Sequence, residues 1–511
     1  MGATKGSFSN EQVCEVTKMR KIFAVALNLH DHNTYDGEWH NQRERETRFK
    51  HNLPYHAEAY AHQSDILNPA DYRLNDEFVK EYFKKTDDIL AFTYTYGGIR
   101  MCRDLLPKDV FDYEPKKLWD FYFEDNIYYI DHHQSHATYA FLNSGFDKSD
   151  ILAIDGIGSK YRCVFFDKDE NMIDLSNKLP IGWLWNHMSN LTGFGTLGAS
   201  KLMGKVGYGR HSDYYYNLFE IILDGPITEK KQEKFKHIRL DNIDDLAYTL
   251  QEFTIDKIKE VVYPLKSCDN LCIAGGVAYN GYMNEEFTKH YQNVFIPPAV
   301  GDEGQAIGVY QHADCVINNN IHKTNTFAGK EYDFEGNEKV NYTEIAQAIA
   351  DGAVVGWFQG KSESGNRALG NRSILADPRN PNIKDIINRT IKMREDFRPF
   401  APAVLEEHYK EYFDTNCPSP YMSRICQVKT NKIPGVTHID NTARIQTVNK
   451  EFNEKFYNVI NEFYKITGIP MLLNTSFNCK EPIVETPQQA IRTFERTKLS
   501  LLVINDWLIR K

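Results

Sequence analysis

A chain of 511 residues, 41% hydrophobic and 25% charged, is too long for one ordinary core and too apolar to be disordered, so two or three domains are expected. Its net charge of −10 excludes a protein that coats nucleic acid through its overall field, while a local basic groove stays compatible with it. The apolar runs are strand-sized, which excludes a membrane span, and no signal peptide is visible. The nine cysteines are scattered without a CxxC pair, as the reduced thiols of a cytoplasmic enzyme are.

In chain order, 21–28 reads as a buried strand ending in Leu29-His30-Asp31-His32, the strand end where open α/β sheets place ligands. His30 is equally well a turn residue. Residues 36–88 are charged and loop-like, with a helical pattern near 76–85. Strands are expected at 89–96 and 127–130; Asp131-His132-His133-Gln134-Ser135-His136 then opens a helical run. Imidazoles four apart share one helix face and can chelate an ion, although HxxxH alone is a weak signal. The strand 151–154 ends in Asp155-Gly156, a carboxylate and glycine suited to a metal or a phosphate. With 162–166 it forms a hairpin typical of actin-like and sugar-kinase-like folds. Lysine-rich 230–239 reads as a solvated helix face. The strand 271–273 leads into Gly275-Gly276 and Asn280, a junction suited to a nucleotide phosphate or ribose.

Residues 318–339 are polar and read as a linker. A helix (342–350) and a strand (353–358) then lead into GKSESGNRALGNRS, a helix-like run, and Lys392, Arg394 and Arg398. Glycines that let backbone N–H groups face a ligand, beside Arg367, Lys392 and Arg398, indicate a phosphate-type anion site over a bland basic surface. Residues 417–440 read as irregular, 442–448 as a strand and 451–467 as a helix. Asn474-Thr475-Ser476 after a further strand is a second oxyanion or phosphate contact, or an ordinary cap.

Several stretches together resemble one family. They are His132-x-x-x-His136, Asp155-Gly156, AGGVAYN (274–280), PPAVGDEG (297–304), GNRALGNRSILADPR, IKMREDFRPFAP, TARIQTV and LLNTSFN. In this order they are similar to the NodU/CmcH-type O-carbamoyltransferases over nearly the whole chain. The resemblance implies an α/β protein with an N-terminal actin-like (sugar-kinase-like) duplicated domain over 1–335 and a C-terminal YrdC-like α/β domain over 336–511. It implies that carbamoyl phosphate and ATP (with Mg2+) give carbamoyl adenylate in the second domain, and that an acceptor hydroxyl is carbamoylated in the first.

By matching motif, His132, His136, Asp155 and Asp302 would hold a divalent metal, Fe2+ in the family or Mn2+. His30 would be general base on the acceptor hydroxyl. Gly156, Gly275, Gly276 and Asn280 would bind the nucleotide. Arg367, Lys392, Arg398, Asn474 and Ser476 would bind carbamoyl phosphate, with Arg367 and Lys392 also catalytic. The Glu that usually precedes the Lys-x-Met-Gly stretch is missing before Lys201-Leu202-Met203-Gly204, which weakens any role for that loop. Residues 33–88 match little and are expected to form the acceptor pocket.

A lean toward Asn, Lys, Asp, Tyr and Phe fits an AT-rich, viral or bacterial coding genome. It points to a 5-hydroxymethyl group on a modified cytosine in phage DNA as acceptor, with Phe92–Tyr96 and Tyr214–Tyr216 stacking a flipped base. The alternatives are a sugar or natural-product hydroxyl, and threonylcarbamoyl transfer to tRNA. Host or bacterial cytoplasm, no membrane, and a homodimer are compatible with this reading.

Overall fold

The computed structural model describes residues 19–27, 33–42, 45, 89–95, 108–124, 126–195, 197–225, 227, 238 and 240–511. Their first sheet holds β1 (Ile22–Leu27), β2 (Asn33–Tyr35), β3 (His40–Gln42), β4 (Ile89–Tyr94), β5 (Tyr122–Glu124) and β6 (Ile127–Tyr129) in the order β3-β2-β1-β4-β6-β5. Strands β1 to β3 form an antiparallel meander, and β4 and β6 add in parallel. A second sheet holds β7 (Asp150–Ile154), β8 (Cys163–Phe166), β9 (Met172–Asp174), β10 (Asn270–Ala274) and β11 (Asn293–Phe295) in the order β11-β10-β7-β8-β9. It repeats the scheme: a meander, then two parallel strands. One pattern used twice makes this region a duplicated, actin-like α/β unit. Strand β7 is apolar after its first residue and buried throughout, as expected for a strand covered on both faces.

Helices α1 (His132–Ser144), α2 (Ala199–Met203) and α3 (Gln305–Asn318) matter most to the site. α1 and α3 press together where Gly308 lies, because a Cβ there would stand 2.0 Å from the Ser135 carbonyl oxygen.

The third sheet has ten strands: β12 (Glu338–Lys339), β13 (Val355–Phe358), β14 (Arg372–Ala376), β15 (Ala401–Leu405), β16 (Phe413–Asp414), β17 (Arg424–Val428), β18 (Thr442–Val448), β19 (Met471–Ser476), β20 (Leu501–Ile504) and β21 (Trp507–Arg510). Their order is β12-β21-β20-β13-β14-β19-β15-β18-β17-β16. Helices α4 (Tyr342–Ala350) and α5 (Glu454–Thr467) pack with it around a core that includes Trp357, Phe456 and Phe463.

Several stretches differ from the sequence reading. Residues 36–88, expected to be loop-like, contain β3, a three-residue strand too short to show a period. The run after Gly370 begins as strand β14 rather than helix, since a short apolar run has no period that tells the two apart. Residues 417–440, expected to be irregular, contain β17, whose burial alternates with period two. β21 follows the strand expected to close the chain. The polar stretch 319–337 has no helix or strand, yet it is a fastened strap: Ala328 O accepts from His40 N (2.9 Å), Gly329 N donates to Ser362 O (3.0 Å), and Thr326 O accepts from Ser364 N (2.8 Å).

Candidate active site

The ends of β6, β7 and β10 converge on one buried cluster. Asp131 caps α1 by accepting from His133 N, and Gln134 returns a bond to Asp131 N, a capping box that fixes the first helical turn. His132 and His136 then lie one turn apart on α1, ring centroids 4.9 Å apart. Asp155 leaves β7 with Oδ1 accepting from Gly156 N (2.5 Å) and Oδ2 from Gly276 N (3.2 Å). Asp302 comes from the turn before α3, which Asn33 of β2 fastens: its Nδ2 donates to Asp302 O (2.7 Å) and its Oδ1 accepts from Ala306 N (2.9 Å).

His136 Nε2 lies 3.2 Å from Asp155 Oδ2 and 3.5 Å from Asp302 Oδ1. For His132 Nε2 the same distances are 3.5 and 3.4 Å. All four ligand atoms lie within 4.8 Å of one another. Glycines make room: a Cβ on Gly158 would meet His132 and His133 at 2.8 and 2.6 Å, and one on Gly276 would stand 3.0 Å from Asp155 Oδ1.

Burial works against a charged ring at His136, but Asp155 and Asp302 outweigh it and push the ring up to about 9. At His132 burial wins and the pKa falls. Burial would raise Asp155, yet its bonds to His132 and His136 hold it well below the usual carboxylate range. The residues fit a divalent cation. Once an incoming ion displaces the His136 proton, two carboxylates beside two neutral imidazoles leave the charge that ion neutralises, and ligands about 2.0–2.2 Å from one ion stand roughly 3–3.5 Å apart. His132 Nε2, buried, stands 3.5 and 3.4 Å from the two carboxylates rather than in one short hydrogen bond, as a nitrogen sharing an ion with them would.

A second cluster is cationic. Asn388–Lys392 form a π-turn, and Met393 follows in the left-handed region (φ 48°), so Lys392 and Arg394 leave in different directions. Lys392 Nζ, buried, donates to Ser476 O (2.7 Å), Ser476 Oγ (3.0 Å) and Asn478 Oδ1, fixing the turn after β19. Asn474 Nδ2 donates to Ala368 O (3.0 Å) and Gln446 Oε1 (2.8 Å), tying the Arg367 loop to β18 and β19.

Arg367, Arg394, Arg398 and Arg444 lie near enough to repel: Arg398 acts on Arg367 and Arg394, and all three act on Arg444. Burial lowers all four; Arg394 falls to about 9 with repulsion from Arg398, and Arg444 falls well below its ordinary value with repulsion from Arg367, Arg394 and Arg398. The Nε atoms of Arg367 and Arg444 are buried without a partner among the described residues. Guanidiniums held together against their repulsion, with donors left over, make a site for a multiply charged anion.

The clusters meet at Arg367. Its guanidinium lies 4.8 Å over the Tyr279 ring, and the Tyr279 hydroxyl donates to Glu303, the neighbour of Asp302. His40 bridges the same seam, with Nδ1 2.9 Å from Ser364 Oγ and Nε2 2.7 Å from Glu303 O.

The structure therefore brings His132, His136, Asp155 and Asp302 together, and Arg367 with Arg398. Lys392 lies beside Ser476. Gly156 and Gly276 give their N–H groups to Asp155, and Gly275 donates to Val300 O (2.7 Å). Asn280 caps the helix Gly281–Phe287 and donates to Gln251 Oε1 (2.8 Å), so its amide is already engaged. His30 lies outside the described residues, as do 46–88 of the expected acceptor pocket.

The anion-loop reading changes in detail. The N–H groups of Leu369, Asn371 and Arg372 donate to the buried Glu363 carboxylate, and Arg372 donates to the carbonyls of Gln359, Gly360 and Asn371. The loop's shape comes from Glu363; its ligand-facing charge comes from Arg367. Sequence reasoning passed over Arg444, whose signal was a lone arginine in the strand TARIQTV. Of the aromatic residues proposed to stack a base, Phe92, Tyr94 and Tyr215 are core residues, whereas Tyr214 is 51% exposed.

Among the described residues no helix is long and apolar enough to cross a membrane. The family model for the carbamoyltransferase N-terminus matches residues 64–310, and that for the carbamoyltransferase C-terminus matches 346–511. An uncharacterized protein, sll1178, of Synechocystis is 32% identical over 75% of this chain and 76% of its own length. The nodulation protein NolO of Bradyrhizobium diazoefficiens is 34% identical over 75% of this chain and 79% of its own. A solved structure, the activator of the 2-hydroxyisocaproyl-CoA dehydratase from Clostridium difficile, covers 58% of this chain and 97% of its own at 12% identity and a TM-score of 0.34. With both family models in sequence along it and such relatives 32% and 34% identical over three quarters of its length, the chain belongs to the carbamoyltransferase family and is a carbamoyl-transferring enzyme.

Proposed function

We propose that this carbamoyltransferase is ATP-dependent and acts on an acceptor hydroxyl. Carbamoyl phosphate loses its phosphate to water, the carbamate attacks the α-phosphorus of ATP with pyrophosphate leaving, and the carbamoyl adenylate passes its carbamoyl group to the acceptor, releasing AMP. The observation that carries the reading is the meeting of a four-arginine cluster with the His132, His136, Asp155, Asp302 cluster across Arg367, Tyr279 and Glu303.

Arg367, Arg398 and Arg444, with Arg394 behind them, offset the charge of the phosphates, so that anionic carbamate and ATP can approach. Lys392 holds Ser476 in place, and Asn474 holds the Arg367 loop. His132, His136, Asp155 and Asp302 would hold a divalent ion, iron or manganese, which supplies Lewis acidity at a carbonyl oxygen. The acceptor's proton goes to His30, an imidazole suited to that task near neutral pH.

Two acceptors have support. The AT-rich compositional lean favours the 5-hydroxymethyl group of a modified cytosine in phage DNA. The net charge of −10 and the core positions of Phe92 and Tyr94 favour a small-molecule hydroxyl. Mass spectrometry of reactions with carbamoyl phosphate, ATP and metal, offering sugars, nucleosides and hydroxymethylcytosine DNA in parallel, separates them by which acceptor gains a carbamoyl group. AMP and pyrophosphate are expected. Absence of ATP turnover with every acceptor and metal would sink the adenylate chemistry.

A further inference from the structure

A carboxylate stands at the exposed edge of the arginine cluster. Glu395 lies between Arg394 and Arg398 in sequence, and its charge acts on both. Arg398 Nη1 is 3.7 Å from Glu395 Oε2, too long for a good hydrogen bond. The other oxygen is taken from outside: Lys201 Nζ, on α2, is 3.3 Å from Glu395 Oε1. The segment carrying Lys201 is seated on the same loop. Lys205 Nζ lies 4.6 Å over the Phe397 ring, Phe194 meets that ring at 6.1 Å, and a Cβ on Gly204 would stand 3.2 Å from it. Burial opposes ionisation of Glu395, but its own backbone N–H, Lys201 and Arg398 outweigh burial and keep it a carboxylate.

A carboxylate beside an anion site competes with the anion for the same guanidiniums. Left to itself, Glu395 would close on Arg398 as a bidentate pair, the geometry arginine favours. We propose that Lys201 is a positioning residue that draws Glu395 away from Arg398 and so keeps the arginine cluster open to a phosphate-type anion. The proposal rests on reading that cluster as a phosphate site. It also gives a role to the Lys-x-Met-Gly stretch in a chain that has Ala199-Ser200 before it.

The bland alternative is that Lys201 and Glu395 only fasten α2 to the loop. The two accounts differ in sign. Removing either partner loosens a fastening and moves both variants the same way; a competition moves them in opposite ways. The test is calorimetric titration of the full chain with inorganic pyrophosphate at low ionic strength, where such pairs are least screened. Lys201→Met keeps the stem packing and is expected to weaken binding about three-fold; Glu395→Gln keeps the shape and is expected to tighten it about three-fold, changes in the range of partly exposed ion pairs. The double variant should resemble Glu395→Gln, because without the carboxylate the lysine has nothing to restrain. Matching thermal melts of all four proteins establish equal folding. Both single variants weakening together, neither moving, or a double variant that follows Lys201→Met overturns the proposal and leaves the phosphate site standing. Wild-type protein that binds no pyrophosphate overturns the phosphate-site reading, and the proposal with it.

Discussion

Asp155 gives one carboxylate oxygen to the Gly156 N–H and presents the other to His132 and His136. Asp155→Asn keeps the size and the glycine contact but removes the charge that offsets a cation. We expect metal affinity to fall at least about 100-fold, read by titration of the metal-free protein with Mn2+ or Fe2+. At the other cluster, Arg444 is repelled by three arginines and has a buried Nε without a partner among the described residues. Arg444→Ala should therefore cost about 10-fold or more in carbamoyl phosphate affinity without lowering thermal stability, since removing a self-repelling charge relieves the free protein. The histidine pair and both aspartates were legible in the sequence through the motifs that resemble the family, since a His-x-x-x-His spacing alone is a weak signal and nothing local joins it to Asp155 and Asp302. Arg444 was not, because strand β18 shows only that a residue is half in and half out, and what lies opposite is supplied by loops more than forty residues away.

Between elements, closeness is set by small residues. Gly308 on α3 brings the Asp302 turn over α1, and an alanine there would press its methyl group into the Ser135 carbonyl. Gly308→Ala is expected to destabilise by about 1–3 kcal/mol and to weaken metal binding as the helices part, checked by denaturant unfolding beside a metal titration. Glu363 has a comparable role in the loop of Arg367, where one buried oxygen accepts from three backbone N–H groups. Glu363→Ala should cost about 3 kcal/mol or more and blur the Arg367 position, whereas Glu363→Gln should recover part of the stability. In the duplicated sheets β1, β4, β6, β7, β8, β10 and β11 were legible as apolar runs, whereas the three-residue strands β2, β3, β5 and β9 were not, being too short to show a period. The loop's inner bonding was not, because a glycine-rich stretch reads alike whether its N–H groups face a ligand or a carboxylate of its own.

For the whole molecule, three histidines weaken it in acid, and two of them, His40 and His312, tie distant parts together. Burial lowers His40 to about 3 and His312 and His438 to about 4. The unfolded chain takes up protons at histidines near pH 6.5, while the folded chain refuses them until far lower. The stability these rings contribute is therefore complete above about pH 6.5 and is lost as pH falls from there toward 4. Each contributes a slope of at most about 1.4 kcal/mol per pH unit. Urea midpoints measured at pH 7, 6 and 5 should fall steadily, and His312→Gln, which removes the ring between Tyr128 and Leu118, should flatten the curve.

The short hairpin β2–β3 has a consequence for how such enzymes can be recombined. Asn33 holds the Asp302 turn, His40 joins Glu303 to Ser364, Gln42 accepts from Gly365 N, and Arg45 donates to Gly365 O and pairs with Glu485. A stretch near the start of the chain is thus cut to fit a loop more than three hundred residues downstream. A chimera that joins the front of one relative to the back of another inherits a mismatched seam at the point where the histidine–aspartate cluster and the arginine cluster meet. Exchanging the hairpin together with residues 362–366 and 485 is the unit of transfer the molecule itself defines.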